Sequence, residues 1–152
     1  MTRLLATLTL LAAACSPAPA DPAPPPVPEA PPADALEASL RTYGADRAPY
    51  MDRVGEAMRG ELRERQSRDL SALLRPGWCY KIVAIGGEGL GDLDVSLFDG
   101  NNVLVERDTT REPRVAIGVE RPVCPPEAAT YRIEVRATSG AGPFAVQVYQ
   151  SI

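Results

Sequence analysis

The second half of the chain alternates apolar and polar residues, and this alternation constrains the fold more than any other feature. Side chains two positions apart lie on the same face of a β-strand, so one face of each segment can be buried. The apolar series are Leu93, Val95, Leu97; Val115, Ile117, Val119; Tyr131, Ile133, Val135; and Phe144, Val146, Val148. Short strands separated by turn signals predict a mainly β protein. We expect an antiparallel, jelly-roll-like β-sandwich over residues 67–152, preceded by one or two short α-helices.

Residues 78–85 differ from the other segments because they are apolar at nearly every position. Such a strand is typically central in its sheet and covered on both faces. Residues 68–74 precede it and fit either a strand or a helix, because Leu70, Leu73 and Leu74 also have helical spacing. Val103 and Val105 follow a predicted turn over residues 99–102 and indicate one more strand.

Residues 34–66 carry helical signals. Asp34 and Glu37 have the spacing of a capping box, and Gly44 suits the end of a first helix. A second helix is predicted from Pro49, because Met51, Val54, Met58 and Leu62 fall on one helical face. That face would cover the strand at 78–85. An amphipathic helix that binds a partner is the alternative.

The first 14 residues have the features of a signal peptide: Arg3 is followed by an apolar run too short to span a bilayer. The run ends in Ala-Ala-Ala-Cys15, which resembles the lipobox of bacterial lipoproteins. That resemblance implies acylation of Cys15 and a membrane anchor, and Ser16 after the cysteine favours the outer membrane. Cleavage by ordinary signal peptidase is the alternative, and it would give a secreted or periplasmic protein.

Residues 15–33 form a proline-rich linker that contains nine of the sixteen prolines. Proline fixes φ and lacks a backbone donor, so this segment should be an extended spacer.

Cys79 and Cys124 are the remaining cysteines. In an exported protein they should form a disulfide, and a reactive thiol pair or a metal site is the alternative.

Composition excludes several functions. The chain has no histidine, which removes Ser–His and Cys–His nucleophile pairs and the commonest zinc ligand. Its formal net charge is −4 and its arginines are interleaved with acids, so nucleic-acid binding has little support. We therefore predict that the protein is not an enzyme and needs no cofactor, with calcium as the one possible exception.

Asp92, Asp94 and Asp99 are the weak calcium candidates, because oxygen ligands in a turn-rich region suit this ion. Glu88, Asn101 and Asn102 lie nearby in the sequence. The simpler interpretation is a solvated strand face followed by a turn. A glycosidase acid pair would need a cleft, which an open sandwich face of this size does not provide.

The stretches GDLDVSLFDGNNVLVERDTT and TYRIEVRATSGAGPFAVQVY resemble the pre-peptidase C-terminal (PPC) type of β-sandwich domain. The shared features are Asp92-Leu-Asp94 at the start of a strand, the turn at Asp99, and Tyr131-x-Ile-x-Val leading to Gly140-x-Gly142. The chain departs from the family pattern at Ala129, where glycine is usual, and in its extra cysteine pair. The resemblance covers residues 67–152 and implies a binding or accessory module without catalytic residues, and some relatives bind calcium.

Together these features predict a membrane-anchored lipoprotein whose sandwich binds an envelope protein or polysaccharide. A structural envelope protein without a discrete ligand and a calcium-dependent module are the alternatives.

Overall fold

One helix and eight strands make up the structure, a computed structural model that describes residues 35–152. The elements are α1 (Ala35–Arg47), β1 (Asp52–Leu62), β2 (Ser67–Leu74), β3 (Cys79–Gly86), β4 (Leu90–Phe98), β5 (Leu104–Arg107), β6 (Arg114–Ile117), β7 (Ala129–Gly140) and β8 (Gly142–Ser151). The predicted signal peptide, the Cys15 lipidation site, the linker and the Asp34 cap lie outside the described residues.

The strands form two four-stranded antiparallel sheets. Sheet A has the order β1-β8-β3-β6, and sheet B has the order β2-β7-β4-β5. The chain changes sheet at every connection except β4 to β5, which gives the strand order of a jelly roll. The predicted fold class is therefore confirmed.

The core lies between the two sheets and is built by the alternating residues. Leu93, Val95, Leu97, Val115, Ile117, Tyr131, Ile133, Val135, Phe144, Val146 and Val148 are all buried, as the alternation predicts. Tyr80 is buried with them, and its hydroxyl oxygen accepts a hydrogen bond of 3.0 Å from the backbone N–H of Arg75. Trp78 packs against the edge of this core. Both aromatic residues therefore serve packing.

Three valines assigned to strands by the alternation are exposed instead. Val103 is 59% exposed and lies in the turn before β5. Val105 lies on β5, a four-residue strand at the edge of sheet B, where no further strand covers it. Val119 lies beyond β6, which ends at Ile117. Alternation alone cannot show where a strand stops.

The predicted second helix is wrong, because this segment is strand β1. Val54, Met58 and Leu62 are four residues apart, a spacing that places residues on one face of a helix and also on one face of a strand. Val54 and Met58 pack against the core between the sheets. The predicted helical segment 34–66 is therefore helical only to Arg47, and the sandwich begins at Asp52 instead of residue 67. The ambiguous residues 68–74 lie in strand β2.

Helix α1 covers the outer face of sheet A. Leu40 of the helix and Ala48 just after its end are buried and pack against Val83, Ile85 and Tyr149 of the two central strands. Strand β3 is therefore central and buried on both faces, as its continuous apolar sequence predicts, although the covering helix is the first one and not the second.

Gly44 lies inside α1, so its predicted role as the helix C-cap is wrong. A Cβ atom built on Gly44 would overlap the hydroxyl oxygen of Tyr149, so glycine lets the helix approach the sheet closely. The helix ends three residues later at Arg47, whose carbonyl oxygen accepts a 3.0 Å hydrogen bond from Lys81 Nζ. A cation at this position also complements the helix dipole.

The predicted disulfide between Cys79 and Cys124 is confirmed, with their Cα atoms 4.2 Å apart. Cys79 begins β3 of sheet A, and Cys124 lies in the connection that leads to β7 of sheet B. Tyr80 and Val123 form a two-bond antiparallel bridge beside it. The crosslink therefore fastens this long connection to the centre of sheet A.

The glycines of the Gly140-x-Gly142 motif lie where the chain passes from sheet B to sheet A. Gly140 has a φ of 79°, and a Cβ on either glycine would overlap backbone oxygens of the turn before β4. This crossing requires residues without a side chain. In residues 35–152 no helix has the length and apolarity to cross a membrane.

Candidate functional site: the open face of sheet B

The outer face of sheet B is not covered by a helix in residues 35–152, because α1 packs on sheet A. Its outward side chains come from β2, β7, β4 and β5, and we call this surface the open face. It consists of Ser67, Asp69, Ser71, Leu73, Thr130, Arg132, Glu134, Arg136, Thr138, Asp94, Ser96, Phe98, Leu104 and Arg107. The register places Ser71, Arg132, Phe98 and Leu104 in one row across the sheet.

Arg132 lies at the centre of the open face and is fixed from several sides. Its guanidinium carbon lies 3.8 Å from the centre of the Phe98 ring. Its Nη1 donates to Asp69 at 2.9 Å and to Glu134 at 3.3 Å. Its Nε donates to the side-chain oxygen of Asn102 at 3.0 Å. Contacts from three strands and a turn therefore hold one guanidinium over the Phe98 ring.

The carboxylates around Arg132 also affect its titration. The hydrogen bond to Asp69 raises the pKa of Arg132 above its ordinary value, with a further contribution from Glu134. The group stays positively charged at any physiological pH. No described residue accepts a hydrogen bond from its Nη2, so that edge of the guanidinium remains available to a ligand.

The neighbouring polar side chains of the open face are also held in place. Arg107 Nε donates to the hydroxyl oxygen of Ser96 at 2.9 Å, across the β4–β5 pair. The hydroxyl of Thr138 donates to Asp94 at 2.7 Å, across the β4–β7 pair. Side chains that are ordered before a partner arrives lose less entropy on binding. The open face is therefore a preorganised set of donors and acceptors.

The structure separates the three calcium candidates. Asp92 lies at the start of β4 beside an irregularity in the β4–β7 pairing, and Asp99 follows the other end of that strand. Asp99 Oδ1 accepts backbone hydrogen bonds from Asn101 and Val103 at 2.9 and 2.8 Å, as a turn residue does. Over the part of the chain that is described, no three His, Cys, Asp or Glu side chains are grouped to hold a metal ion.

Asp92 and Ser96 are buried, although the alternation placed them on a solvated strand face. Arg107 contacts Ser96, whereas Asp92 is 8% exposed and its Oδ1 has no hydrogen-bond partner among the described residues. Burial raises the pKa of Asp92, and the negative charges of Asp94 and Asp108 add to this effect, while Arg111 opposes it. This carboxyl group is therefore isolated at the edge of the open face.

The sequence did not identify the contacts of Arg132, although burial of Tyr131 and Ile133 by the alternation implies that Arg132 between them lies on the outward face. The available signal was Phe98. Phe98 is spaced by even numbers of residues from Asp94 and Ser96, so the alternation places its aromatic ring on the same polar face. Its pairing with Arg132 depends on the register between β4 and β7, which single-strand patterns do not specify.

No family model and no curated protein matches this chain. A comparison with solved structures finds the periplasmic inhibitor of g-type lysozyme, PliG, of Aeromonas hydrophila. The two chains are 12% identical, and the match covers 63% of this chain and 85% of that one with a TM-score of 0.43. At this identity and TM-score the likeness says nothing about what this chain binds. The resemblance to the PPC domain stays a prediction.

Proposed function

We propose that this protein is a non-catalytic binding module of the bacterial cell envelope, and that its open face receives a protein partner. The observation that carries this proposal is the fixed guanidinium of Arg132, stacked on Phe98 and held by Asp69 and Glu134 on an uncovered sheet. Arginine and aromatic side chains are enriched among the residues that dominate binding energy at protein interfaces.

The charges of the open face favour a protein over a charged polymer. Arg107, Arg132 and Arg136 lie among Asp69, Asp94 and Glu134, so both signs alternate across the surface. A polyanion would be repelled by half of these groups, whereas a protein surface can match an alternating pattern. Charge complementarity of this kind also selects against wrong partners.

Lipid anchoring through Cys15 forms the second part of the proposal. Acylation with two or more chains gives stable membrane attachment, where a single chain gives only marginal binding. The proline-rich linker would then let the sandwich reach roughly 50 Å from the membrane at about 3.1 Å per residue. The proposed location is the periplasmic side of the outer membrane or the cell surface.

Anchoring is tested by palmitate labelling and membrane fractionation of the full chain. We expect labelling of the wild type, and loss of both label and membrane association in Cys15→Ala. Ser16→Asp should move the protein to the inner membrane without removing the label. An unlabelled wild-type protein would support cleavage by ordinary signal peptidase instead.

The open face is tested by photo-crosslinking in living cells. A photoreactive residue at Ser71 lies beside Arg132 in the central row, and one at Glu56 on sheet A serves as the matched control. We expect a discrete product from the Ser71 position, absent from Glu56 and lost when Arg132→Glu is added. The crosslinked protein must then bind the purified wild type and not that variant. Equal products from both positions would contradict the proposal and favour a structural protein without a discrete ligand.

A calcium-dependent module is a second candidate, and the observation that favours it is the unpartnered Oδ1 of the buried Asp92. If calcium binds there, millimolar calcium should raise the melting temperature of the wild type and not of Asp92→Asn. Equal melting curves with calcium and with chelator would remove this candidate.

A further inference from the structure

One edge of sheet B exposes consecutive apolar side chains. Val103 precedes strand β5, Leu104 and Val105 begin it, and the three residues are 59%, 46% and 44% exposed. Nowhere else in residues 35–152 are three consecutive large apolar residues exposed. Such a run marks a surface that another molecule covers, because contact with water is unfavourable for it. We call residues 103–105 the apolar edge.

The backbone of this edge is also unpaired. Strand β5 is the last strand of sheet B and pairs only with β4. Outside that pairing, residues 104–107 make no backbone hydrogen bond within the described chain. A free strand edge presents N–H and C=O groups with which a further strand can pair. The apolar edge therefore combines vacant backbone groups with apolar side chains.

The other three edge strands lack this combination. Strand β1 is interrupted between Val54 and Met58, and β2 exposes Arg68 and Asp69. Strand β6 exposes Arg114 alone. Irregularities and charged side chains are the usual means by which edge strands avoid pairing. An added strand therefore has its best template at β5.

We propose that the apolar edge pairs with the apolar edge of a second copy of this chain, in antiparallel orientation about a two-fold axis at Leu104. The sequence Val-Leu-Val is symmetric about its middle residue. The axis sets Leu104 opposite Leu104 of the partner subunit, and Val103 opposite Val105 of the partner subunit. Each apolar side chain then faces an apolar side chain, and its burial stabilises the dimer.

The charges beyond the apolar edge select this register. With the axis at Leu104, Glu106 and Arg107 face Asn102 and Asn101 of the partner subunit, so no like charges meet. An axis at Val105 would set Leu104 opposite a glutamate. An axis at Glu106 would set two glutamates opposite each other, which is unfavourable.

The assembly closes at two subunits. The same edge is used by both copies, so the interface is isologous and leaves no second β5 to continue the sheet. The far edge of the joined sheet is β2 with its charged residues Arg68 and Asp69. Strand β5 has only four residues, and Val105 interrupts its pairing with β4, so the contact stays short.

Dimerisation would join two open faces into one. The two four-stranded sheets become a sheet of eight strands, and the central row continues through Leu104 into the partner subunit. The two copies of Arg132 would lie roughly 24 Å apart, because five strand spacings of about 4.8 Å separate them. This inference goes beyond the proposed partner binding and does not depend on it, because the purified chain alone should dimerise.

The first test measures mass by sedimentation equilibrium over a range of protein concentrations. It uses the full chain with Cys15→Ser, so that no acyl group contributes. A short strand pair buries less than the roughly 1,600 Å² of a standard interface, so the dimer should be reversible. We expect the mass to rise toward that of two subunits with concentration. The mass of one subunit at every concentration up to the solubility limit would overturn the proposal.

The location of the interface is tested with a matched pair of variants in the same background. Leu104→Lys places two ammonium groups on the axis, whereas Leu73→Lys makes the same change on β2, at the opposite edge of the sheet. Leu73 is 50% exposed and Leu104 is 46% exposed. We expect Leu104→Lys to weaken dimerisation by tenfold or more, because apposed like charges cost several kcal/mol. Leu73→Lys should dimerise like the wild type, and equal effects of the two variants would overturn the proposal.

A charge-swap experiment separates a lost interface from a lost fold. Leu104→Glu should also dimerise weakly, but an equimolar mixture with Leu104→Lys should associate more tightly than either variant alone. Opposite charges then face each other at the axis, and a misfolded variant would not be rescued in this way. Association of the mixture no tighter than that of the separate variants would contradict an axis at Leu104.

Discussion

The two outer faces of the sandwich have opposite chemistry. Sheet A presents Val83, Ile85, Ala145 and Tyr149 outward, and α1 buries all four. Sheet B presents alternating charges around Arg132, and no helix of the described chain covers it. The difference is already present in the strands. Strand β3 is apolar at nearly every position, whereas β7 alternates strictly between Tyr131 and Ala137.

This comparison shows how a small jelly roll separates stability from recognition. Each fully buried aliphatic side chain stabilises the fold by roughly 1.5–3 kcal/mol, so the face under α1 contributes to folding. Exposed ion pairs contribute much less, so the residues of the open face are free to serve recognition. The following five predictions test this division.

The largest effect should come from the disulfide, which fastens the connection between the two sheets. In the chain-entropy model, closing a loop of about 46 residues stabilises the folded state by roughly 4 kcal/mol. Replacing Cys79 and Cys124 together by serine should lower the free energy of unfolding by about that amount in urea titrations. Cys15→Ser is the matched control and should leave it unchanged. Equal stability of both variants would mean that the crosslink contributes little.

Leu40→Ala should destabilise the protein by about 3 kcal/mol, because it leaves a cavity between α1 and sheet A. The control is Leu73→Ala on the open face, where Leu73 is half exposed and the cost should stay below about 0.5 kcal/mol. Chemical denaturation of both variants measures the difference. Similar losses of unfolding free energy in the two variants would show that Leu73 is buried in solution, and that the open face is therefore covered.

Gly44→Ala should also destabilise, by roughly 1–2 kcal/mol, although alanine is the better helix former. Its Cβ would overlap the Tyr149 hydroxyl and lie 2.6 Å from the Cζ atom of that ring. Tyr149→Phe removes the overlapping oxygen, so the double variant should lose less than the sum of the two single losses. Strict additivity would show that α1 does not approach the sheet at this point.

Lowering the pH should weaken the attachment of α1 to β1, because protonation of Glu37 weakens its hydrogen bonds with Arg53 and Arg59. The pKa of Glu37 is lowered from its ordinary value of 4.5 to about 2, so its contribution to stability is complete above pH 4.5 and is lost as the pH falls toward 2. Solvent screening of the partly exposed arginines reduces this contribution to about 1 kcal/mol. Glu37→Gln should be less stable at pH 7 and show a shallower loss in acid. Glu56→Gln should retain the acid-dependent loss, and identical pH profiles for the wild type and Glu37→Gln would contradict the prediction.

Arg132→Ala should change thermal stability least of the five, because its contacts lie on the exposed side of sheet B. It should nevertheless abolish recognition of the crosslinked partner. Arg132→Lys keeps the positive charge but loses the planar guanidinium with its several N–H donors, so this variant should also bind the partner weakly. A large fall in melting temperature would show that Arg132 stabilises the sheet instead of serving recognition.

The alternation along a single strand was sufficient to predict which residues of several strands are buried. The inward residues of β4, β7 and β8 follow from alternation. The Cys79–Cys124 disulfide follows because the chain is predicted to be exported and Cys15 is assigned to lipidation, which leaves these two cysteines. The helical prediction failed at β1, because residues four positions apart lie on one face of a helix and also on one face of a strand. It also failed at Gly44, where a residue that commonly ends helices serves a close contact with Tyr149.

The candidate sites depended even more on tertiary placement. The outward direction of Arg132 was predictable, but its partners were not. Asp69, Phe98 and Asn102 come from other strands or turns, and the register between strands decides which of them reach the guanidinium. Glu37 of α1 contacts Arg53 and Arg59 of β1 in the region where the helical prediction failed, so no sequence pattern indicated these contacts.

By itself, the sequence determined that the last half of this chain forms short strands with one buried face, because the alternation of side chains is a local property of the backbone. Only the tertiary structure decided which charges meet. Pairing across strands and packing of α1 on sheet A bring together residues as far apart as Arg53 and Gln147. Such contacts depend on distances in space, which the order of residues along the chain does not record.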